Sequence, residues 1–283
     1  MVLGSRVAVV TNSAIALPPE IIRDYDIQLV RPIFTMDGRT YRDGEDIPLE
    51  DIYAYLEQDK PFLTAPGSPH DYLEAYREVA QWAGAIVCLT IPKELSTMFD
   101  SARTAMEMAK EVIPGVSIQV LDCGTLAGAQ GLIVLAAAAR AMGGDSLEQV
   151  IAAAEAAIGA TGLFLLLKTV RYTARTGRLP GVLAGVGTLL SIKALVTIAN
   201  GRVTMVSLHR STKAGIQRLI NVTVEKVGHT RVTAIVMHSG YSEEVEHLVA
   251  LISGQLPCTQ VWLSQFSPIM AYICLLYTSP SPR

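Results

Sequence analysis

AIVCLTIPKELSTMFDSARTAMEMAKEVIPGVSIQVLD, residues 85–122, decides the fold class. AIVCLT (85–90) is a short apolar run of the kind a strand shows when both of its faces are covered. Residues 97–111 form a helix, and VSIQVLD (116–122) returns as a second strand. Strand, helix and strand in that order make a βαβ unit, which requires a parallel sheet with helices packed on it.

Working outward, the same rhythm continues. RVAVVT (6–11) reads as a strand, Pro18-Pro19 opens a helix at 19–25, and IQLVRPIFT (27–35) reads as another strand before a turn at Met36-Asp37-Gly38. Helices are expected at 49–58 and at 69–82, the latter behind Ser68 as cap, Pro69 at the first helical position and Asp71 three residues on. Further helices follow at 126–142 and 146–159, and Gly162 marks a join. Beyond it the pattern changes. ALVTIA (194–199), Asn200-Gly201 and RVTMVSL (202–208) spell a hairpin. A helix at 211–227, a strand at 231–237, a helix at 242–254 and a strand near 259–264 complete the half. The expected fold is therefore α/β with two domains: an N-terminal parallel-sheet α/β/α sandwich over 1–160, and a C-terminal α+β domain with a mixed or antiparallel sheet over 161–273. Residues 274–283, ending in CLLYTSPSPR, form an atypical tail without periodicity.

Composition narrows the function. The chain has 283 residues, 50% of them hydrophobic, and a net charge of −3. With no basic run, nucleic acid and anionic membranes are poor partners. No apolar stretch reaches the length of a spanning helix, so integral membrane insertion is not expected. The start runs directly into a strand pattern, and Cys88, Cys123, Cys258 and Cys274 show no CxxC spacing. A cytoplasmic location with reduced thiols is expected. The five histidines are scattered, with no metal-binding spacing, and there is no GxSxG elbow.

What remains is a set of hydroxyls at strand ends. Thr11 and Ser13 follow the first strand, Thr64 and Ser68 precede the helix at 69, and Ser96 and Thr97 follow strand 85–90. In a parallel sheet such loops converge where ligands bind. Ser96 also stands at the start of helix 97–111, whose free N–H groups favour an anion. Serine and threonine are ordinary helix caps as well, Ser68 above all. Thr64 has no evident capping duty. These donors are neutral, which suits a single carboxylate better than a multiply charged phosphate. The glycine-rich stretch RTGRLPGVLAGVGTLLSIK (175–193) has neither Walker nor dinucleotide spacing, since Thr188 and Leu190 stand where those loops need other residues. Its glycines are expected to permit close backbone packing and a turn, and its leucines and valines to form an apolar wall or plain core.

Several segments together resemble the DegV family of fatty-acid-binding proteins. TNSAIALP (11–18) is similar to the family's opening, with Asn12 in place of aspartate. FTMDGRTYRDGEDI (34–47) matches at Asp37-Gly38, Tyr41 and Asp43-Gly44; TAPGSP (64–69) keeps Thr64, Ser68 and Pro69; LSTMFDSA (95–102) keeps Leu95, Ser96, Ser101 and Ala102. The segment 172–203 keeps Gly177, Arg178, Leu190, Ile192 and Lys193, and HRSTKA (209–214) and VMHSG (236–240) also fit. The resemblance implies a two-domain carrier, not an enzyme, that holds a long-chain fatty acid such as palmitate between its domains and needs no cofactor. It implies a carboxylate bound by Thr64 and Ser96 with Arg178 nearby, Ser13 and Ser68 being further ligand candidates. It also implies presentation of that carboxylate to a fatty acid kinase, in lipid transport or fatty acid metabolism. Thr97-Met98, Ala65 and Gly67 depart from the family's pattern, and the tail departs from its histidine-containing close. The alternative is an enzyme acting on a small carboxylate or phosphate at the same crevice, which would need a histidine or carboxylate within reach of Ser96.

Overall fold

The computed structural model describes residues 6–56, 58, 60–167, 192–239 and 243–274. The chain divides into two compact units, Met1–Pro48 with Pro61–Thr161, and Leu49–Lys60 with Gly162–Arg283.

The first unit begins with β1 (Val7–Asn12), a 3-10 turn (Ser13–Ile15), α1 (Pro19–Asp24), β2 (Gln28–Val30), β3 (Ile33–Met36) and β4 (Arg39–Arg42). After α2 (Leu49–Leu56), which belongs to the second unit, come β5 (Phe62–Ala65), α3 (Pro69–Val79), β6 (Ala85–Thr90), α4 (Met98–Val112), β7 (Ser117–Asp122), α5 (Ala127–Met142) and α6 (Leu147–Ala160). Four strands form a parallel sheet in the order β2-β1-β6-β7. Every residue of β1 is buried, and Ile86, Val87, Cys88 and Leu89 of β6 are fully so. That burial is what the unbroken apolar runs demand of central strands covered on both faces. α5 packs on β1 and on α6, while α3 packs on β1, β2 and α4.

The stretch expected as one strand over 27–35 is two. Arg31-Pro32 interrupts it, and proline has no N–H to give a central ladder. β2 stays in the parallel sheet, whereas β3 leaves to build a separate antiparallel sheet in the order β4-β3-β5. β4 and β5 carry no strong alternation and were not expected from the sequence. Thr64, expected in a loop, lies within β5.

α5 approaches the 3-10 turn closely, and Gly131 is what allows it. A Cβ there would stand 2.4 Å from the Ile15 carbonyl oxygen and 2.9 Å from Leu17 Cγ. No side chain fits at those distances, so the glycine fixes how α5 lies against the end of β1.

The second unit has β8 (Phe164–Leu167), β9 (Lys193–Ala199) and β10 (Arg202–His209) in an antiparallel sheet ordered β10-β9-β8. The hairpin turn is the expected one, with Asn200 at φ 50° and Gly201 at φ 72°. α7 (Thr212–Val227) packs on β8 and β9. β11 (Val232–His238), α8 (Glu243–Gln255) and β12 (Cys258–Gln265) then form a βαβ unit with its strands parallel, around Ile220, Val236, Ile252 and Leu256. α9 (Pro268–Cys274) packs on α2. The chain thus has the expected α/β architecture: a parallel sheet covered by helices in one unit, and antiparallel and parallel pairing together in the other.

Candidate functional site

The hydroxyls singled out from the sequence all belong to the first unit, but they differ in how they are engaged. β1 ends at Asn12, whose side-chain oxygen accepts from Ala14 N at 3.0 Å and so caps the 3-10 turn. The next residue, Ser13, donates to Asp43 Oδ2 at 2.5 Å. Asp43 is wholly buried; its N–H donates to the Pro32 carbonyl at 2.9 Å, and its own carbonyl accepts from Arg31 Nη1 at 3.1 Å. Arg31 in turn lies 3.4 Å from Glu45. The Ser13 hydroxyl is therefore spent on anchoring the β4 segment to the end of β1. Sequence spacing did not reveal this partner, because residues 13 and 43 meet only through the fold.

Thr11 is also engaged. Its hydroxyl donates to the Leu89 carbonyl at 2.7 Å and accepts from Gln130 Nε2 of α5 at 3.1 Å. Ser68 forms a full capping box with Asp71: its oxygen accepts from Asp71 N at 3.2 Å, and its own N–H donates to Asp71 Oδ2 at 2.7 Å. The Ser68 hydroxyl also donates to that carboxylate at 2.6 Å. It starts α3, as its Ser-Pro-x-Asp context requires.

Thr64 and Ser96 are the two with donor capacity left over. Thr64 is half-buried opposite Phe34 in the β3–β5 pair, on the face where Phe34 stacks on Tyr41 and Phe62 with ring centroids 5.5 Å and 5.0 Å apart. Among the described residues its hydroxyl has no hydrogen-bond partner. Ser96 is also half-buried, in the turn that follows β6. Its oxygen accepts from Met98 N at 3.3 Å, leaving its O–H to donate elsewhere. Thr97 occupies the cap position of α4 without a side-chain cap bond, so the first N–H groups of that helix are not screened by its hydroxyl. A half-buried serine donor beside a fifteen-residue helix N-terminus is a suitable acceptor site for one negative charge. Arg178 and the glycines at 181, 185 and 187 lie outside the described residues.

Burial keeps four thiols and phenols of the first unit protonated at neutral pH. Burial raises the Cys88 thiol to about 12 and pushes the Cys123 thiol up further, and it raises the Tyr72 and Tyr76 phenols well above the ordinary tyrosine value. None of these groups is an activated nucleophile at neutral pH. Among the described residues no cluster of histidine, cysteine and carboxylates could hold a metal ion, and no helix is long and apolar enough to cross a membrane. In the second unit Ser207 Oγ lies 2.7 Å from His209 Nε2, a pair the sequence reading did not single out.

A family model described as "uncharacterised protein, DegV family" matches residues 6–273. The chain belongs to the DegV family. Among its relatives, a DegV domain-containing protein of Streptomyces coelicolor is 27% identical over 256 residues, covering 90% of this chain and 89% of the relative. A DegV family protein from Thermus thermophilus, whose structure is reported for fatty acid binding, superposes with a TM-score of 0.86 at 26% identity over 95% of each chain. DegV of Bacillus subtilis, described as a fatty acid binding protein, gives a TM-score of 0.85 at 21% identity, covering 96% of each, and shares the fold. The DegV fold thus accounts for both units of this chain.

Proposed function

We propose that this DegV-family protein binds a long-chain fatty acid such as palmitate, with Thr64 and Ser96 donating to its carboxylate and Arg178 supplying charge nearby. The observation that carries the reading is membership of the family over residues 6–273, together with a 26% identical relative whose structure is reported for fatty acid binding. A related structure from Eubacterium eligens is described as loaded with heptadecanoic acid. The geometry of the first unit supports it: of the four serine and threonine candidates, Ser13 and Ser68 are engaged with carboxylates, whereas Thr64 and Ser96 keep an O–H to give.

The energetics divide accordingly. Palmitate offers about 14 methylenes at about 0.8 kcal/mol each, roughly 11 kcal/mol gross before ordering costs. The chain supplies affinity, and the head group needs only its hydrogen bonds satisfied. The protein acts as a carrier that presents the carboxylate to a fatty acid kinase, in the cytoplasm, and performs no chemistry on it. The competing enzyme reading needs a base at Ser96. Among the described residues Ser96 has no histidine or carboxylate bonded to it, which favours the carrier.

Native mass spectrometry of the purified protein tests the reading, followed by titration with saturated acids from myristic to stearic. A co-purified or tightly bound acid is expected. Failure to bind any of them would overturn it. The kinase role is tested separately, by whether the loaded protein supports ATP-dependent formation of acyl phosphate, trapped as the hydroxamate.

A further inference from the structure

Thr64 and Ser96 are held in place by different means. Thr64 lies in β5 and is fixed by the ladder to β3, where its register partner is Phe34. Ser96 lies in the turn between β6 and α4, outside any ladder. Its own backbone bonds are local. Leu95 N and Ser96 N both donate to the Pro92 carbonyl, at 2.9 Å and 3.1 Å, and Met98 N donates to the Ser96 hydroxyl oxygen at 3.3 Å. These bonds shape the turn but do not tie it to the sheet.

The tie comes from the neighbouring strand. β7 runs parallel to β6, and the two end in register, Asp122 opposite Thr90. Asp122 is half-buried, and its two carboxylate oxygens accept from two different turns. Oδ2 accepts from Lys93 N at 3.1 Å, in the turn after β6, and Oδ1 from Gly124 N at 2.7 Å, in the turn after β7. Cys123 N donates to the Thr90 carbonyl at 3.0 Å and closes the two strand ends on each other. One aspartate thus pins the turn that carries Ser96 to the edge of the parallel sheet. The pin stands next to Pro92, whose carbonyl takes the Ser96 N–H. Hydrogen bonds to an ionised carboxylate are stronger than neutral ones. Asparagine, with one oxygen and an NH2 group, could not accept at both oxygen positions. A head-group donor free to wander must be ordered by the ligand at a cost in affinity, whereas one held in advance is not.

We propose that Asp122 is a positioning residue for Ser96. Its carboxylate touches no ligand; by holding Lys93 N it sets the turn from Pro92 to Ser96, so that the serine O–H is presented to the carboxylate of the bound acid. The assignment rests on the fatty-acid reading and deepens it. It also carries a sign opposite to that of simple electrostatics. Removing a negative charge from the strand ends would, by Coulomb's law alone, favour an anionic ligand. Releasing the turn disfavours it. The charge effect is the smaller of the two, because the Asp122 carboxylate is half-exposed, screened by solvent and already met by two N–H groups.

The test uses the full-length protein and [1-13C]palmitate, with Asp122→Ala, Asp122→Asn, Ser96→Ala and the Asp122→Ala/Ser96→Ala double variant. Asp122→Ala removes both acceptors, and Asp122→Asn keeps the shape of the side chain and removes one. In the unloaded Asp122→Ala protein, amide hydrogen exchange at Lys93, Leu95 and Ser96 should quicken. Palmitate binding should weaken about tenfold, by no more than in Ser96→Ala, and the carboxyl 13C resonance should move. Asp122→Asn should fall between Asp122→Ala and the wild type, and it decides by the same measurements if Asp122→Ala does not fold. In the Ser96→Ala background the loss of Asp122 should cost no further affinity. Ser146→Ala breaks the capping box of α6; it should lower stability and leave affinity and resonance in place. Unchanged exchange at 93–96 overturns the assignment. So does palmitate binding as tight as the wild type or tighter, and so does an equal loss in the Ser96→Ala background, which would mean that Asp122 acts by another route. In those three cases the wild type still binds palmitate and the fatty-acid reading stands. A wild type that takes up no palmitate overturns that reading and this assignment together.

Discussion

Replacing Gly131 by alanine sets two effects of opposite sign against each other. Gly131 lies within α5, where alanine is favoured over glycine by about 1 kcal/mol. Against this, the new Cβ would stand 2.4 Å from the Ile15 carbonyl oxygen and 2.9 Å from Leu17 Cγ, with Ile15 fully buried. Overpacking costs typically about 1–3 kcal/mol, and a backbone oxygen cannot rotate away, so the upper part of that range applies. The expected net loss is about 1–2 kcal/mol. Gly159 of α6 provides the control, because a Cβ there meets nothing within 4 Å. Gly159→Ala should be neutral or stabilise by up to about 1 kcal/mol. Urea unfolding followed through Trp82 in a Trp262→Phe background reports the first unit alone. With a slope of about 2 kcal/mol per molar, Gly131→Ala should lower the midpoint by about 0.5–1 M. A Gly131→Ala protein as stable as the wild type would refute the close approach of α5 to the 3-10 turn.

Ser96→Ala should weaken palmitate binding by about 1–3 kcal/mol without unfolding the protein. Thr64→Val should act non-additively with it in a double-mutant cycle read by calorimetry; strict additivity would mean that the two do not share a ligand. Ser68→Ala should behave in the opposite way, lowering the urea midpoint by the equivalent of about 1 kcal/mol through loss of the capping box while palmitate affinity stays the same. The buried thiols predict an alkaline limit. Cys88 stays protonated in the folded protein up to about 12 from an ordinary value of 9.0. The unfolded chain therefore releases that proton first, and stability present below pH 9 should fall as pH rises through that window, by about 1.4 kcal/mol per pH unit for each such thiol. Urea midpoints at pH 7, 9 and 10 check this, and a flat profile would contradict the burial of Cys88.

How much of this was legible in the sequence depends on the range of the interaction. The strand at 85–90, the helix starting behind Ser68 and the turn at Asn200-Gly201 are set by neighbours a few residues apart, and each is found where the pattern placed it. Thr64 and Ser96 were marked as site candidates by motif and by position at strand ends. Which hydroxyls remain available was not legible, because Ser13 is engaged by Asp43, thirty residues away, through the path of β3 and β4. The stretch 27–35 was expected as one strand running through Pro32; that it breaks there, and that β3 then pairs with residues 62–65 opposite Thr64, was not legible. Gly131 looked like any other glycine, and Gly67 only like a departure from the family's pattern, until the packed layers showed what a Cβ would strike. Nothing in the sequence marked Asn12 Nδ2 or the Tyr72 hydroxyl as buried without a partner. Only burial, which removes water as a partner and leaves their donors unanswered, sets them apart, and burial belongs to the tertiary structure and not to either residue.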